Sequence, residues 1–325
     1  MNAYIKHISY YLPAKKITNQ DIENLFPEWN GEKIISKIGI KNRHITEKDQ
    51  FVSDMALEAI NNLCEEYQIE KTTIDYLIIC TQSPDYYLPT TACIVQNRAG
   101  LPTSCAAVDI NQGCSGYVYG LSLAKGLVIS KIAKNVLLVT AEMYSKHTHH
   151  ADKGNISIFG DAATATLISD DGLYEIGEFS LGSDGSGYEN LIVKNGAMRK
   201  AKTDDITEPN DNFLYMNGPE IFRFTAKEIP PMILENLEKN KETRDTVDQF
   251  LFHQANTFML EYLRKIIKIP KEKFIIDMAE YGNTVSSTIP IALKNLISEN
   301  RNKDKILIAG FGVGYSWGAV CLYKN

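Results

Sequence analysis

Val108-Asp109-Ile110-Asn111-Gln112-Gly113-Cys114-Ser115-Gly116 reads as an apolar strand that breaks at a glycine, with a helix beginning directly after a cysteine. That helix carries Tyr117, Leu121, Ala124 and Val128 at i, i+4, i+7 and i+11, one apolar stripe. A helix start aims unpaired backbone N–H groups and the positive end of the macrodipole at its occupant, so a cysteine there is expected to favour the thiolate. Far along the chain stand His253, in Phe252-His253-Gln254-Ala255-Asn256, and Asn283, in Tyr281-Gly282-Asn283-Thr284. A cysteine with a distant histidine and asparagine is the outline of a catalytic thiol, because such partners meet in space and not along the chain.

Strand-like apolar runs alternate with helical patterns on both sides of this stretch, which predicts an α/β layered fold with parallel strand pairs. The order of these segments repeats. Asp75-Tyr76-Leu77-Ile78-Ile79 corresponds to Asp248-Gln249-Phe250-Leu251-Phe252, the strand before Cys114 to Phe274-Ile275-Ile276-Asp277 before Asn283, and Val136-Leu137-Leu138-Val139 to Ile306-Leu307-Ile308-Ala309. All three separations are roughly 170 residues, far beyond the period of a solenoid. We therefore expect two duplicated halves, residues 1–170 carrying the cysteine and 171–325 carrying the histidine and asparagine, with a boundary near Asp170-Asp171-Gly172. Ile289, Ala292, Leu293 and Leu296 form a second apolar stripe after Asn283, so Cys114 and Asn283 are expected to open equivalent buried helices that face one another.

Composition narrows the classes of function. The chain has 325 residues, 44% of them hydrophobic, enough for a substantial core. A net charge of −6 argues against a nucleic-acid or anionic-membrane binder. No apolar run has membrane-spanning length and Met1-Asn2-Ala3-Tyr4-Ile5-Lys6-His7 lacks a secretion signal's apolar stretch, so a cytoplasmic protein is expected. Of six cysteines, none forms a C-x-x-C pair; Cys80 and Cys321 read as core strand residues. His147-Thr148-His149-His150 with Asp152 suggests a metal site, but such histidines on a polar loop seldom converge, and no metal is expected. The polar stretch Asn195 to Asn212, with Lys200, Lys202, Asp204, Asp205 and Pro209, reads as a solvated loop in preference to a lid. Ser53 reads as the N-cap of a helix with the stripe Ala56, Leu57, Ile60 and Leu63.

Gln112-Gly113-Cys114-Ser115-Gly116, His253-Gln254-Ala255-Asn256, Gly282-Asn283-Thr284 and Gly310-Phe311-Gly312-Val313-Gly314-Tyr315-Ser316-Trp317-Gly318 together resemble β-ketoacyl-acyl-carrier-protein synthase III, of the thiolase superfamily. Ile38-Gly39-Ile40-Lys41-Asn42-Arg43, Leu88-Pro89 and Phe159-Gly160-Asp161-Ala162-Ala163 match less strongly, in the same order. The resemblance implies the five-layered α-β-α-β-α thiolase-like fold, a homodimer, no cofactor, and an acyltransferase of fatty-acid or secondary-metabolite biosynthesis. Cys114 would take an acyl group from acyl-coenzyme A or acyl-carrier protein, and malonyl-acyl-carrier protein would then lose carbon dioxide and attack it. His253 and Asn283 would hold the developing enolate oxygen as N–H donors, worth about 3 kcal/mol each in a dry site. The backbone N–H groups of Cys114 and Val313 would form a second oxyanion hole. Val313 replaces the family's middle glycine, which narrows the acyl pocket; Phe311 and Val313 are expected to set its length together with Leu88, which by the resemblance caps the acyl pocket of the partner subunit.

The resemblance also has gaps. The family's adenine-stacking tryptophan falls at Lys33, with Trp29 four residues earlier, and its arginine at Lys153, so the aromatic–guanidinium sandwich is expected to be absent. Acetyl-coenzyme A is therefore expected to be a poor primer. Lys37 and Lys153 remain as phosphate contacts. Phe258 stands where an arginine often docks carrier protein, which leaves Arg223, Asn256, Arg264 and Lys265 for coenzyme A or carrier protein. The same scaffold serves acyltransferases that pass the acyl group to a hydroxyl or amine, and partner subunits without activity. Relatives that do not decarboxylate use a glutamate base; the nearest one here, Glu142, reads as structural.

Overall fold

Every residue of the strand Val136–Glu142 is buried, which requires cover on both faces of the sheet it runs in. The computed structural model describes residues 2–204, 210–299 and 303–325, without the side chains of Lys33 and Ile34; Asp205 and Pro209 of the polar stretch lie outside the described residues. The first half runs Tyr4–Tyr11 (β1), Lys15–Thr18 (β2), Asn19–Leu25 (α1), Gly31–Ile38 (α2), Asn42–Ile45 (β3), Val52–Tyr67 (α3), Tyr76–Cys80 (β4), Thr91–Arg98 (α4), Ala106–Ile110 (β5), Gly116–Ile129 (α5), Val136–Glu142 (β6), Lys153–Ile156 (α6) and Ala162–Ser169 (β7). The second runs Tyr174–Ser183 (β8), Leu191–Ile192 (β9), Tyr215–Met216 (β10), Gly218–Lys239 (α7), Gln249–Phe252 (β11), Thr257–Ile267 (α8), Phe274–Ile275 (β12), Thr288–Ser298 (α9), Lys305–Gly312 (β13) and Ser316–Lys324 (β14).

Ten of these strands form two five-stranded arrays with one order. The first is β1-β7-β6-β4-β5 and the second β8-β14-β13-β11-β12, joined where β1 meets β8 at Tyr4 and Ile5. Within each array the pairings match in direction: β4 is parallel to β5 and β6 as β11 is to β12 and β13, while the remaining pairs are antiparallel.

Alternation along the strands sorts the core into layers. Leu137, Val139 and Ala141 of β6 face α3 and α4, whereas Val136 and Leu138 face the opposite way. Leu307 and Ala309 of β13 pack with α7 and α8, while Ile306 and Ile308 turn inward. Between the two sheets lie α5 and α9. Tyr117, Leu121, Ala124 and Val128 share one buried cluster with Ile289, Ala292, Leu293 and Leu296, and with strand residues from both halves. The sequence is therefore α3/α4, sheet, α5/α9, sheet, α7/α8: five layers. Cys80 and Cys321 are buried strand residues.

One expected cap is different. Helix α3 begins at Val52, and the Asp54 carboxylate reaches back to accept the Phe51 N–H at 2.8 Å. Ser53 lies inside the first turn, where its hydroxyl accepts from Arg98 at 2.7 Å. A carboxylate three residues into the helix can satisfy the orphan donor as well as a capping hydroxyl can, which shifts the boundary by two residues, to an N-cap at Phe51. Helix α9 likewise begins at Thr288, after a 3₁₀ turn over Val285–Ser287, and not at Asn283.

Leu293 sits fully buried between the sheets. Leu293→Ala should cost about 3 kcal/mol of stability, seen as a lower midpoint in urea or thermal unfolding; an unchanged midpoint would contradict the central placement of α9.

Candidate active site

Cys114 lies between the end of β5 and the start of α5, buried at 7% exposure. The approach of β13 is what holds it there. A Cβ on Gly310 would come within 2.7 Å of the Cys114 carbonyl oxygen, and one on Gly312 within 2.9 Å of Cys114 Cβ and 3.1 Å of Sγ. Both positions must be glycine for the strand and the cysteine turn to touch. The side chain of Val313 rests on Gly113, where an added Cβ would meet Cγ1 at 2.4 Å.

The expected thiolate is not what this environment favours. Burial pushes the Cys114 thiol up, the nearby Glu142 carboxyl adds to the shift, and the cysteine's own backbone N–H opposes it weakly. Loss of water outweighs a helix terminus that starts two residues later. His253, directly after β11, is pushed down to about 3 by the same burial, opposed only by a hydrogen bond to the Val285 carbonyl. Both groups are therefore neutral at pH 7. The backbone of His253 is fixed by donation to Ala309 O at 2.7 Å, and its ring by Nδ1 at 2.8 Å from Thr288 Oγ1 and an edge-on contact with Phe311.

Asn283 sits in a loop stitched to the first half: its N–H donates to Ile158 O at 2.9 Å, and its carbonyl accepts from Gly160 N at 3.0 Å. Its side-chain Oδ1 accepts the Val285 N–H at 2.9 Å, which commits Nδ2 to point away as a donor. Val285 itself, a β-branched residue at φ 56°, packs in one small cluster with Cys114, Tyr144, Phe159, Leu191 and Leu214. Strain at such a residue persists only where surroundings over-determine it. Cysteine, asparagine loop and histidine thus meet around Val285.

Glu142, at the end of β6, is fully buried and accepts from Gln82 N, Ser83 Oγ and Ser286 Oγ at 3.1 to 3.3 Å. Burial pushes its carboxyl up to about 8. It joins the strand end of one half to the asparagine loop of the other.

A cavity of about 960 Å³ opens beside this cluster, with Gln82, Tyr144, His147, Leu191, Leu214 and Val313 in its wall. Tyr144 donates to Gln82 Oε1 at 2.6 Å. Sequence reasoning missed Gln82, Tyr144, Leu191 and Leu214; only the position of Tyr144 two residues past Glu142, at a strand end, could have signalled one of them. Of the three expected pocket residues, Val313 lines the cavity. Phe311 does not: strand alternation turns it away from Cys114, into the core beside Phe252. Leu88 stands 82% exposed, outside the wall, next to Tyr86 and Tyr87 at the mouth. Described residues of the polar stretch do more than face solvent: Asn195, Gly196, Ala197 and Lys202 line the cavity, and Asn195 donates to Asn212 at 2.9 Å.

Trp29 and Lys153 revise a second expectation. Lys153 Nζ lies 5.5 Å from the Trp29 ring centroid and 3.0 Å from the Glu28 carboxylate. An aromatic–cation pair is therefore assembled, with a lysine in place of a guanidinium and a tryptophan drawn from earlier in the chain. The side chain of Lys33 lies outside the described residues. Lys37, Arg223 and Lys265 are exposed, Arg223 beside Glu220 at 2.7 Å. Asn256 and Arg264 serve α8 itself: Asn256 caps its start by accepting Met259 N at 2.9 Å, and Arg264 binds Glu261 at 2.8 Å and the Ile269 carbonyl at 3.1 Å. Among the described residues no three His, Cys, Asp or Glu side chains gather as a metal site. His147 Nε2 lies 3.2 Å from Ser83 Oγ, and the His149 ring packs at a tilt against His150 and edge-on against Phe213.

Two models of 3-oxoacyl-[acyl-carrier-protein] synthase III match, one over residues 108–185 and its C-terminal counterpart over 237–324. The chain is 36% identical to a β-ketoacyl-[acyl-carrier-protein] synthase III of Clostridium perfringens, over 99% of both chains, and 35% identical to that of Caldanaerobacter subterraneus, over 95% and 94%. A crystal structure of a 3-oxoacyl-(acyl-carrier-protein) synthase III superposes with TM-score 0.96 at 43% identity over 100% of both chains. A second, from Burkholderia xenovorans, gives 0.93 at 32% over 100% and 95%.

A thiol pushed up by burial stays protonated at neutral pH. Alkylation of Cys114 by iodoacetamide, followed by intact mass, should climb steadily from pH 7 past pH 9; a plateau reached below pH 8 would show a preformed thiolate.

Proposed function

We propose that this chain, which belongs to the 3-oxoacyl-[acyl-carrier-protein] synthase III family, is a decarboxylating condensing enzyme in which Cys114, His253 and Asn283 do the chemistry. The observation that carries the reading is the pair of uncharged donors beside a buried thiol. Asn283 presents Nδ2 because Val285 holds its Oδ1, and burial keeps the His253 ring neutral. Such a pair suits an oxygen that gains charge only in the transition state.

In the first half-reaction the Cys114 thiol adds to an acyl thioester. The Sγ–C bond forms as the S–H proton passes to His253, and the donor's C–S bond then breaks, its thiolate taking that proton. In the second, the C–C bond to the malonyl carboxylate breaks and carbon dioxide departs. Its electron pair enters the enolate, whose oxygen lies between His253 and Asn283. The enolate carbon attacks the acyl carbonyl, and Cys114 leaves as a thiolate and takes one proton from solvent, the proton that the overall condensation consumes. The backbone N–H groups of Cys114 and Val313, neither of which has a protein acceptor among the described residues, receive the tetrahedral oxyanion. No metal or redox cofactor enters this scheme.

The donor is an acyl-coenzyme A or acyl-carrier protein. Trp29 and Lys153 support a coenzyme A end, with Lys37 as a further phosphate contact, whereas exposed Arg223 and Lys265 suit an acidic carrier. The apolar loop Tyr86-Tyr87-Leu88, exposed at the cavity mouth, supports a homodimer in which each copy closes the other's pocket, and the cytoplasm is the compartment such substrates imply.

Intact-mass analysis after exposure to a panel of acyl-coenzyme A and acyl-carrier donors should show one acyl group on Cys114 and none on Cys114→Ala. Carbon dioxide release from malonyl-carrier protein should fall about 10²- to 10³-fold in His253→Ala and in Asn283→Ala. Transfer of the acyl group to a hydroxyl or amine without carbon dioxide release would replace this reading with the acyltransferase one.

A further inference from the structure

The two half-reactions ask opposite things of one atom. Taking the proton of Cys114 requires a lone pair on the free ring nitrogen of His253, Nε2. Holding the enolate oxygen requires an N–H there. A neutral imidazole offers one or the other, and the choice is set by whatever bonds Nδ1.

Thr288 Oγ1 lies 2.8 Å from Nδ1 and 3.0 Å from the Val285 carbonyl oxygen. The hydroxyl has one proton and two directions for it. Turned to Val285 O, it accepts from Nδ1–H and leaves Nε2 as a lone pair. Turned to Nδ1, it donates, and the ring proton resides on Nε2. Thr288 is 3% exposed and sits in the first turn of α9, so its position relative to the ring is fixed while its hydroxyl rotates. The Val285 carbonyl, which also hydrogen-bonds this ring, can only accept, so by itself it favours a ring proton on the side that faces it. It is itself held by a residue at φ 56° whose N–H is tied to Asn283.

Resting on the condensing reading above, we propose that Thr288 is a positioning residue that lets His253 serve as an acceptor for Cys114 in acyl transfer and as a donor to the enolate oxygen in decarboxylation. The interconversion is neutral overall: between substrates, solvent water gives one proton to Nε2 and takes one from Nδ1, while the Thr288 hydroxyl turns from Val285 O to the ring. No other side-chain hydroxyl bonds this ring among the described residues.

Thr288→Val keeps the shape, removes the hydroxyl and leaves the Val285 carbonyl as the ring's partner. Acylation of Cys114 should then stay within about threefold of wild type, while carbon dioxide release from malonyl-carrier protein falls about 10²-fold, the loss expected for one preorganised donor. Thr288→Ser should restore both. Equal losses in the two steps, no loss in either, or failure of serine to restore decarboxylation would overturn the assignment. A direct readout needs no malonyl substrate: in the Cys114 acyl-enzyme, with ¹⁵N-labelled histidine, the His253 Nε2 resonance should move towards the unprotonated position in Thr288→Val and return in Thr288→Ser. Spectra identical in wild type and Thr288→Val would overturn it even if carbon dioxide release failed in every form, an outcome that would instead count against the condensing reading.

Discussion

Contact between two backbones sets the rest of the architecture: β13 passes so close to the Cys114 turn that Gly310 and Gly312 leave no room for a Cβ. That approach seats the start of α5 against the second half's sheet, and the body of the helix packs between the sheets of both halves. It also fixes where an acyl group on Sγ would emerge, because the strand closes one side and the cluster of Tyr144, Leu191 and Leu214 bounds the other. A single methyl at Gly312 would be absorbed either by the strand or by the nucleophile, and both are buried.

The same enclosure decides the electrostatics. Cys114 and His253 do not form an ion pair at rest, because a dry, tightly packed site penalises both charges. In the proposed reaction, reactivity comes from fixed dipoles: amide Nδ2 of Asn283, the backbone N–H groups of Cys114 and Val313, and the imidazole of His253. Such groups need no reorganisation when charge appears, which is the advantage of a preorganised site. Glu142 fits this pattern as a carboxyl that ties loops together by accepting from Gln82, Ser83 and Ser286, its charge disfavoured by burial.

Much of this was legible in the chain. The apolar stripe from Tyr117 to Val128, the strand runs and their near-constant separation anticipate the repeated strand order, since periodicity reports which faces are covered. The placement of Cys114 and His253 was legible because each follows a strand end, and that of Asn283 because it precedes the apolar stripe of α9. What escaped depends on distance in space. Phe311 follows a strict alternation that the glycine-rich motif concealed, Trp29 reaches Lys153 across 124 residues of sequence, and the Asn195 to Asn212 stretch looks solvated while its small and polar residues close a cavity. The thiol's ionisation escaped too, because a helix-start argument knows nothing of burial depth.

The shared central layer has a consequence for how such a chain holds together. Neither half owns a complete core: the stripe of α5 and that of α9 occupy one cluster with strand residues from both arrays. A half on its own would turn Leu121, Val128 and Val136 towards water, so each depends on the other to cover its inner helix. Carrying both halves in one polypeptide makes that pairing intramolecular, at high effective concentration. The pairing constrains the inner faces of the two helices and leaves the turns before them different, Cys114 in one half and Asn283 in the other.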